Sequence, residues 1–240
     1  MEDQIHTLKQ WIENSKYTVI FTGAGMSTES GLPDFRSAST GIWKDQNPMK
    51  LASTDAMKNN RYGFIEFYQN RVEEVEKYKP HFGHEVLAQW EQEGKLKAII
   101  TQNIDGFHQE AGSKNVVELH GTLRKCHCSE CKETFPILRF MEEKLSCECG
   151  GFIRPSVVLF GERLMEVSLI HAVRETKQAE LFIVLGSSLN VSPANFFPIE
   201  AKENEAKLVI INMEPTEMDD LADLVIPQRK IGEVLQELSQ

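Results

Sequence analysis

Short apolar runs rich in valine and isoleucine punctuate the chain at Thr18 to Phe21, Ala98 to Ile100, Val116 to Leu119, Val157 to Phe160, Leu181 to Leu185, Leu208 to Ile211 and Leu224 to Ile226. Continuous apolar runs of this length mark strands buried on both faces, as in parallel sheets. Between them the period lengthens to that of a helix, first at Ile5, Leu8 and Ile12, then over Phe64 to Val75, Val86 to Trp90 and Leu164 to Val173. Alternation of the two patterns predicts an α/β fold with a doubly wound, Rossmann-like parallel sheet. Two stretches break the rhythm: residues 36–80 hold a polar loop and then a helical pattern without a strand, and residues 123–155 hold cysteines and few apolar runs. The expected organisation is a Rossmann-like domain over 1–35, 81–122 and 156–240, with a smaller lobe made of a helical insertion (36–80) and a cysteine-bearing module (123–155).

At 240 residues and 41% hydrophobic content, the chain can bury an independent core. Its formal charge of -10 argues against nucleic acid as a direct partner, because phosphate binding draws on a basic surface. The first ten residues carry acids and amides where a secretory signal carries a basic start and an apolar run, and no stretch reaches the length of a membrane span. The expectation is a cytoplasmic protein without a membrane partner. In that reducing setting the five cysteines favour metal binding over disulfides.

Cys128 and Cys131 have the spacing of a turn that aims two thiolates at one ion, and Cys147 with Cys149 completes four ligands for a closed tetrahedral site. Such a site leaves no open position for water, so one structural Zn2+ is expected. The second pair has a single intervening residue instead of the usual two, which leaves Cys126 as an alternative ligand to Cys147. Upstream, Tyr17 to Phe21 runs into Thr22, Gly23, Ala24 and Gly25, the form of a first strand entering a tight turn and then a helix, where a pyrophosphate can approach the backbone. Thr28 stands where a third glycine of the dinucleotide fingerprint belongs, and no acid follows at the end of a second strand, so an ordinary dehydrogenase is disfavoured. Asp34, Phe35 and Arg36 place an acid, an aromatic face and a cation in the next loop.

Gly23 through Arg36 closely resembles the opening motif of the sirtuins, the NAD-dependent protein lysine deacylases. Further segments match in order: Thr101 to Asp105, Glu118 to Gly121, the two cysteine pairs, Ile153 to Pro155, Val158 to Glu162, Gly186 to Val191 and Ile211 to Thr216. The resemblance implies that NAD is consumed as a co-substrate, with nicotinamide released and the acyl group of acetyl-lysine transferred to ADP-ribose. It implies His120 as general base toward the ribose hydroxyls, a role an imidazole of ordinary pKa near 6.5 can fill at neutral pH. Asn103 and Gln102 would contact the ribose and order water near the reacting carbon; Ile104 and Asp105 would hold the nicotinamide carboxamide. Phe35 would shield the reactive face. Gly23, Ala24, Gly25, Thr28, Asp34 and Arg36 would lie along the diphosphate and ribose, with Gly186, Ser187 and Ser188 on the phosphates. Asn212, Met213 and Glu214 would serve the adenosine ribose and Ile231 the adenine.

The same resemblance implies that Val157 to Glu162 pairs as a strand with an extended acyl-lysine peptide, Val157, Phe160 and Gly161 lining the acyl-lysine site. Tyr68 and Arg71, one helical turn apart, resemble the pair with which sirtuins of the desuccinylase type grip an acidic acyl chain; the alternative is an exposed helical arginine beside a packed tyrosine. Two further readings compete: a non-catalytic module that senses NAD or ADP-ribose, and mono-ADP-ribosyl transfer to protein. Cys126 has no assigned role outside the metal alternative.

Overall fold

The structure is a computed structural model that describes residues 2–34 and 47–240. Helix α1 (Glu2–Asn14) leads into strand β1 (Thr18–Thr22), which ends in the glycine turn and a 3-10 helix over Ala24–Ser30. Three helices follow: α2 (Pro48–Leu51), α3 (Thr54–Asn59) and α4 (Arg61–Glu76). The chain then alternates through α5 (Phe82–Gln92), β2 (Ala98–Thr101), α6 (Phe107–Glu110) and β3 (Val116–Glu118). A hairpin region comes next, with β4 (Gly121–Cys128), β5 (Thr134–Pro136), α7 (Leu138–Met141) and β6 (Ile153–Val157). The last part comprises α8 (Glu166–Gln178), β7 (Leu181–Leu185), α9 (Phe196–Glu203), β8 (Lys207–Asn212), β9 (Leu224–Pro227) and α10 (Ile231–Ser239).

Six parallel strands form one sheet in the order β3-β2-β1-β7-β8-β9. Because the period of a strand is two, its central members send alternate side chains to opposite faces. Ile20, Ile183 and Ile211 join Leu8, Leu87 and Leu235 in one core, while Phe21, Phe182 and Ile210 join Ala172 and Phe197 in another. Helices therefore cover both faces, which is why the strands read as unbroken apolar runs. From β1 the chain builds outward through β2 and β3, and from β7 outward the other way. The crevice at the carboxyl ends of β1 and β7 is thus the topological switch point at which ligands of open α/β sheets bind.

A second, three-stranded sheet in the order β5-β4-β6 is antiparallel and carries the cysteine region. Its inner residues Leu123, Ile153 and Val157 join Phe64, Val72 and Val75 of α4 in a third core. The run Val157 to Phe160, expected as a strand, is one only at its start: the strand is Ile153–Val157. Beyond it the Leu159 amide donates to the Glu162 carboxylate at 2.9 Å, and the backbone turns at Gly161 with φ +91°. These bonds replace the ladder that would have continued the strand. Among the described residues no helix is long and apolar enough to cross a membrane.

Candidate active site

At the switch point the two glycine turns meet. Gly23 N donates to Leu185 O at 3.1 Å and Gly25 N donates to Gly186 O at 2.9 Å. A Cβ on Gly25 would lie 2.7 Å from Gly186 Cα, and Gly186 itself holds φ +62°, so no side chain fits between the turns. These glycines therefore serve the contact between turns as well as ligand approach, and the helix expected after them is the shorter 3-10 type. Thr28 closes that turn by donating its hydroxyl to Gly25 O at 2.9 Å.

Gln102 to Asp105 follow β2 on the adjacent loop. Gln102 donates through Nε2 to Ser187 Oγ at 2.8 Å, tying β2 to the β7 turn. Asn103 is buried; its Nδ2 donates to Gly23 O at 3.0 Å and to Ser27 Oγ at 3.3 Å, while its Oδ1 has no partner among the described residues. An unpartnered buried carbonyl is an acceptor waiting for a donor. Asp105 accepts from Ser27 Oγ at 2.8 Å and from Phe107 N at 2.9 Å. Burial pushes its carboxyl above the ordinary range, and those two hydrogen bonds work against the rise.

His120 lies two residues past β3, half-buried, with Gly121 at φ +77° behind it. A Cβ at Gly121 would fall 2.1 Å from Ser156 O, so glycine is required for β4 to leave in this direction. His120 Nδ1 lies 3.0 Å from Gln102 O, and a carbonyl only accepts, so Nδ1 carries the proton and the basic nitrogen of the neutral ring is Nε2. That is the tautomer a general base needs. His120 O in turn accepts from Val158 N at 2.8 Å, joining the histidine to the segment after β6.

These groups line one cavity of about 690 Å³. Its walls include Gly23, Ala24, Gly25, Thr28 and Asp34 from the first turn, and Gln102, Asn103, Ile104 and His120 from the loops after β2 and β3. Gly186, Ser187, Ser188, Asn212, Met213, Glu214 and Ile231 come from the far half of the sheet. Val157, Phe160, Gly161, Tyr68 and Arg71 line it from the other side. Asp105 instead lines a small adjoining space with Asn103, Ile104 and Arg71. Phe35 and Arg36 lie outside the described residues.

Arg71 does not fit the reading of an exposed helical arginine: it is 8% exposed, on the same face of α4 as Phe64, Tyr68 and Val72. Its Nη1 pairs with Glu74. Burial lowers its pKa, with Glu74 opposing, and burial raises that of the Tyr68 phenol. Sequence reasoning missed Glu29, Asn190 to Pro193, Arg229 and Lys230, which also line the cavity. Glu29, within the first motif, accepts from Gly232 N at 2.7 Å and so anchors α10 beside the turn. Arg229 and Lys230 lie just before α10, beyond the last matched motif, so no sequence signal marks them.

The sulfurs of Cys128, Cys131, Cys147 and Cys149 all lie within 4.8 Å of one another. Cys128 to Cys149 is 3.4 Å and Cys131 to Cys147 is 3.7 Å, too long for disulfides, whose S–S distance is about 2.05 Å. Zinc–sulfur bonds of about 2.3 Å place the corners of a thiolate tetrahedron about 3.8 Å apart, so the four residues fit one Zn2+. Cys126 is outside the cluster, its Sγ donating to Pro136 O at 3.2 Å.

The Sir2 family model matches residues 23–193. The chain belongs to the Sir2 family. An NAD-dependent protein deacetylase 1 of Geobacillus kaustophilus is 58% identical to this Sir2 protein over 234 residues, 98% of this chain and 97% of the relative. An NAD-dependent protein deacetylase of Oceanobacillus iheyensis is 55% identical over 97% of this chain and 98% of its own. Among solved structures, a Sir2 complex with a deacetylated p53 peptide and 3′-O-acetyl-ADP-ribose superposes with a TM-score of 0.90 at 35% identity, covering 98% of this chain and 97% of that one. A Sir2 complex with a p53 peptide and NAD+ gives 0.86 at 34%, covering 98% and 96%.

Proposed function

We infer that this Sir2-family protein is an NAD-dependent protein lysine deacetylase that releases nicotinamide and transfers the acetyl group of acetyl-lysine to ADP-ribose. The observation that carries the reading is the orientation of His120, whose Nδ1 is held by the Gln102 carbonyl so that Nε2 is the base within the cavity. NAD enters as a substrate: the acetyl oxygen attacks ribose C1′ as the bond to nicotinamide breaks. His120 takes the proton from a ribose hydroxyl, the 2′ oxygen attacks the activated acetyl carbon, and water then yields free lysine and O-acetyl-ADP-ribose. Asn103 would offer its unpartnered Oδ1 to the water or hydroxyl at that carbon. Ile104 and Asp105 would receive the carboxamide, and the turns at Gly23 to Thr28 and Gly186 to Ser188 the phosphates. Asn212, Met213, Glu214 and Ile231 would hold the adenosine end.

The acetylated peptide would lie against Val157 to Gly161. The cysteine cluster would hold Zn2+ with every position closed, a structural role separate from the chemistry. The two-lobe partition proposed above fits this arrangement, with the Rossmann-like domain over 1–35, 81–122 and 156–240 and the smaller lobe over 36–80 and 123–155. A sensing module would have no use for a histidine in the tautomer of a base.

A panel of acetyl, succinyl and longer acyl-lysine peptides, assayed with and without NAD, tests the reading. His120→Ala is expected to lose about 10²-fold or more of the NAD-dependent rate, in the range of a general base. Equal turnover by wild type and variant would overturn it. Desuccinylation is a second reading, favoured by the burial of Arg71 beside Tyr68 in the cavity wall, although Glu74 already compensates part of its charge. On that reading Arg71→Met lowers succinyl turnover about tenfold more than acetyl turnover, the loss of one charged hydrogen bond. Equal losses on both peptides would remove it.

A further inference from the structure

The segment that follows β6 is held by an ion pair that the chemistry itself does not use. Arg154 is 6% exposed and does not line the cavity. Its Nη1 donates to Val157 O at 3.1 Å and its Nη2 to Glu162 Oε1 at 2.7 Å. The other carboxylate oxygen of Glu162 accepts from Leu159 N at 2.9 Å, and Glu162 N donates back to Leu159 O at 2.9 Å. Both ends of the bend from Val157 to Glu162 are thereby tied to one guanidinium–carboxylate unit.

The middle of the bend is tied on two other sides. Val158 N donates to His120 O at 2.8 Å, Phe160 N donates to Ala52 O at 3.0 Å, and Thr54 N donates to Phe160 O at 3.1 Å. These bonds would hold an apolar loop in place without any charge. An ion pair with a buried guanidinium and a half-buried carboxylate is a poor device for stability, because desolvation offsets much of its attraction, but its directional bonds select one backbone shape. The bend it shapes is the wall of the cavity from Val157 to Glu162.

We propose that Arg154 and Glu162 are positioning residues for the acyl-lysine substrate: acting as one unit through the backbone of Val157 and Leu159, they fix the wall that receives the peptide. The proposal rests on the deacetylase reading, and it assigns the pair to peptide recognition and not to NAD binding. The two turns that meet at Gly23 and Gly186 make no bond to either residue.

The test is steady-state kinetics of the full chain with an acetyl-lysine peptide and NAD, for Arg154→Met, Glu162→Gln and the double variant, alongside calorimetric titration with ADP-ribose. Misplacing a substrate wall by about an ångström is expected to raise the peptide KM of Arg154→Met about tenfold, with the NAD KM and the ADP-ribose Kd within about twofold of wild type. Glu162→Gln keeps an acceptor for the Leu159 amide and should show a smaller rise. The double variant should be no worse than Arg154→Met, because paired residues act non-additively. Should Arg154→Met fail to fold, Arg154→Lys serves: it keeps the charge without the two-pronged geometry, and a peptide KM between those of wild type and Glu162→Gln would contradict a unit that depends on that geometry. An unchanged peptide KM in folded variants overturns the proposal, as do peptide and NAD KM rising together in step with a fall in Tm. Failure of wild type to turn over any acyl peptide with NAD would strike the deacetylase reading instead, and this proposal with it.

Discussion

Two buried histidines lie directly behind the loop that carries Asn103. His84 and His108 are 0% and 1% exposed, with ring centroids 4.9 Å apart. Thr22 Oγ1 donates to Thr101 Oγ1 at 2.7 Å, so it accepts from His108 Nε2 at 3.0 Å, and Thr101 Oγ1 accepts from Asn103 N at 3.0 Å. His108 Nδ1 has no partner among the described residues, so a second proton there would have no acceptor. Burial, with His81 adding repulsion, lowers the pKa of His108 to about 3, and burial with both neighbouring histidines depresses His84 as well. The unfolded chain, with histidine pKa near 6.5, takes up protons that the folded chain refuses, so stability is lost as pH falls from about 6.5 toward about 3. The slope is about 1.4 kcal/mol per pH unit for each proton refused, and the raised carboxyl of Asp105 acts in the opposite direction. Urea unfolding of wild type and His108→Gln at pH 7 and pH 5 checks this: the variant should lose less stability between the two, and equal losses would contradict the account.

At the scale of elements, the strands of the large sheet were legible because burial on both faces leaves their central positions apolar, with polar residues only at their ends; β1, β2, β7 and β8 stand where the apolar runs lie. The small sheet was not. In β4, the sequence Gly-Thr-Leu-Arg-Lys-Cys-His-Cys alternates irregularly, with exposed Arg124 and Lys125 between buried Leu123 and Cys126, so no period emerges. Its register with β6 also shifts between Thr122 and Cys126. The apolar run after Val157 misled for a different reason, since the Glu162 carboxylate takes the Leu159 amide and turns the chain, leaving Phe160 only an isolated bridge to Ser53. The cysteine cluster was legible from spacing, and the structure selects Cys147 over Cys126 because Cys126 points to Pro136 on β5. Cys128 and Cys147 are buried in the third core but Cys131 and Cys149 are exposed, so the ion should hold the turns that carry the exposed pair. Cys131→Ser and Cys149→Ser are each expected to lose stoichiometric zinc and several kcal/mol of stability, on the order of a coupled metal-folding site. Retention of one zinc per chain in both variants, measured by metal analysis of purified protein, would refute the assignment.

For the molecule as a whole, the cavity gathers side chains from turns far apart in sequence: the first glycine turn, the loops after β2 and β3, the turn after β7, the end of β8 and the start of α10. The contributions from motifs could be read in advance. The burial of Arg71 could not, because a charged residue on an amphipathic helix reads as solvent-facing until the third core is seen around α4. Nor could the contribution of Arg229 and Lys230, which depends on where α10 docks against Glu29. The central claim, that the acetyl group leaves lysine only by capture on the ribose of a cleaved NAD, is a statement of mass balance. Mass spectrometry of a reaction containing NAD and acetyl-lysine peptide should find free lysine peptide, nicotinamide and O-acetyl-ADP-ribose formed in equal amounts. Deacetylated peptide accompanied by intact NAD and free acetate would contradict it.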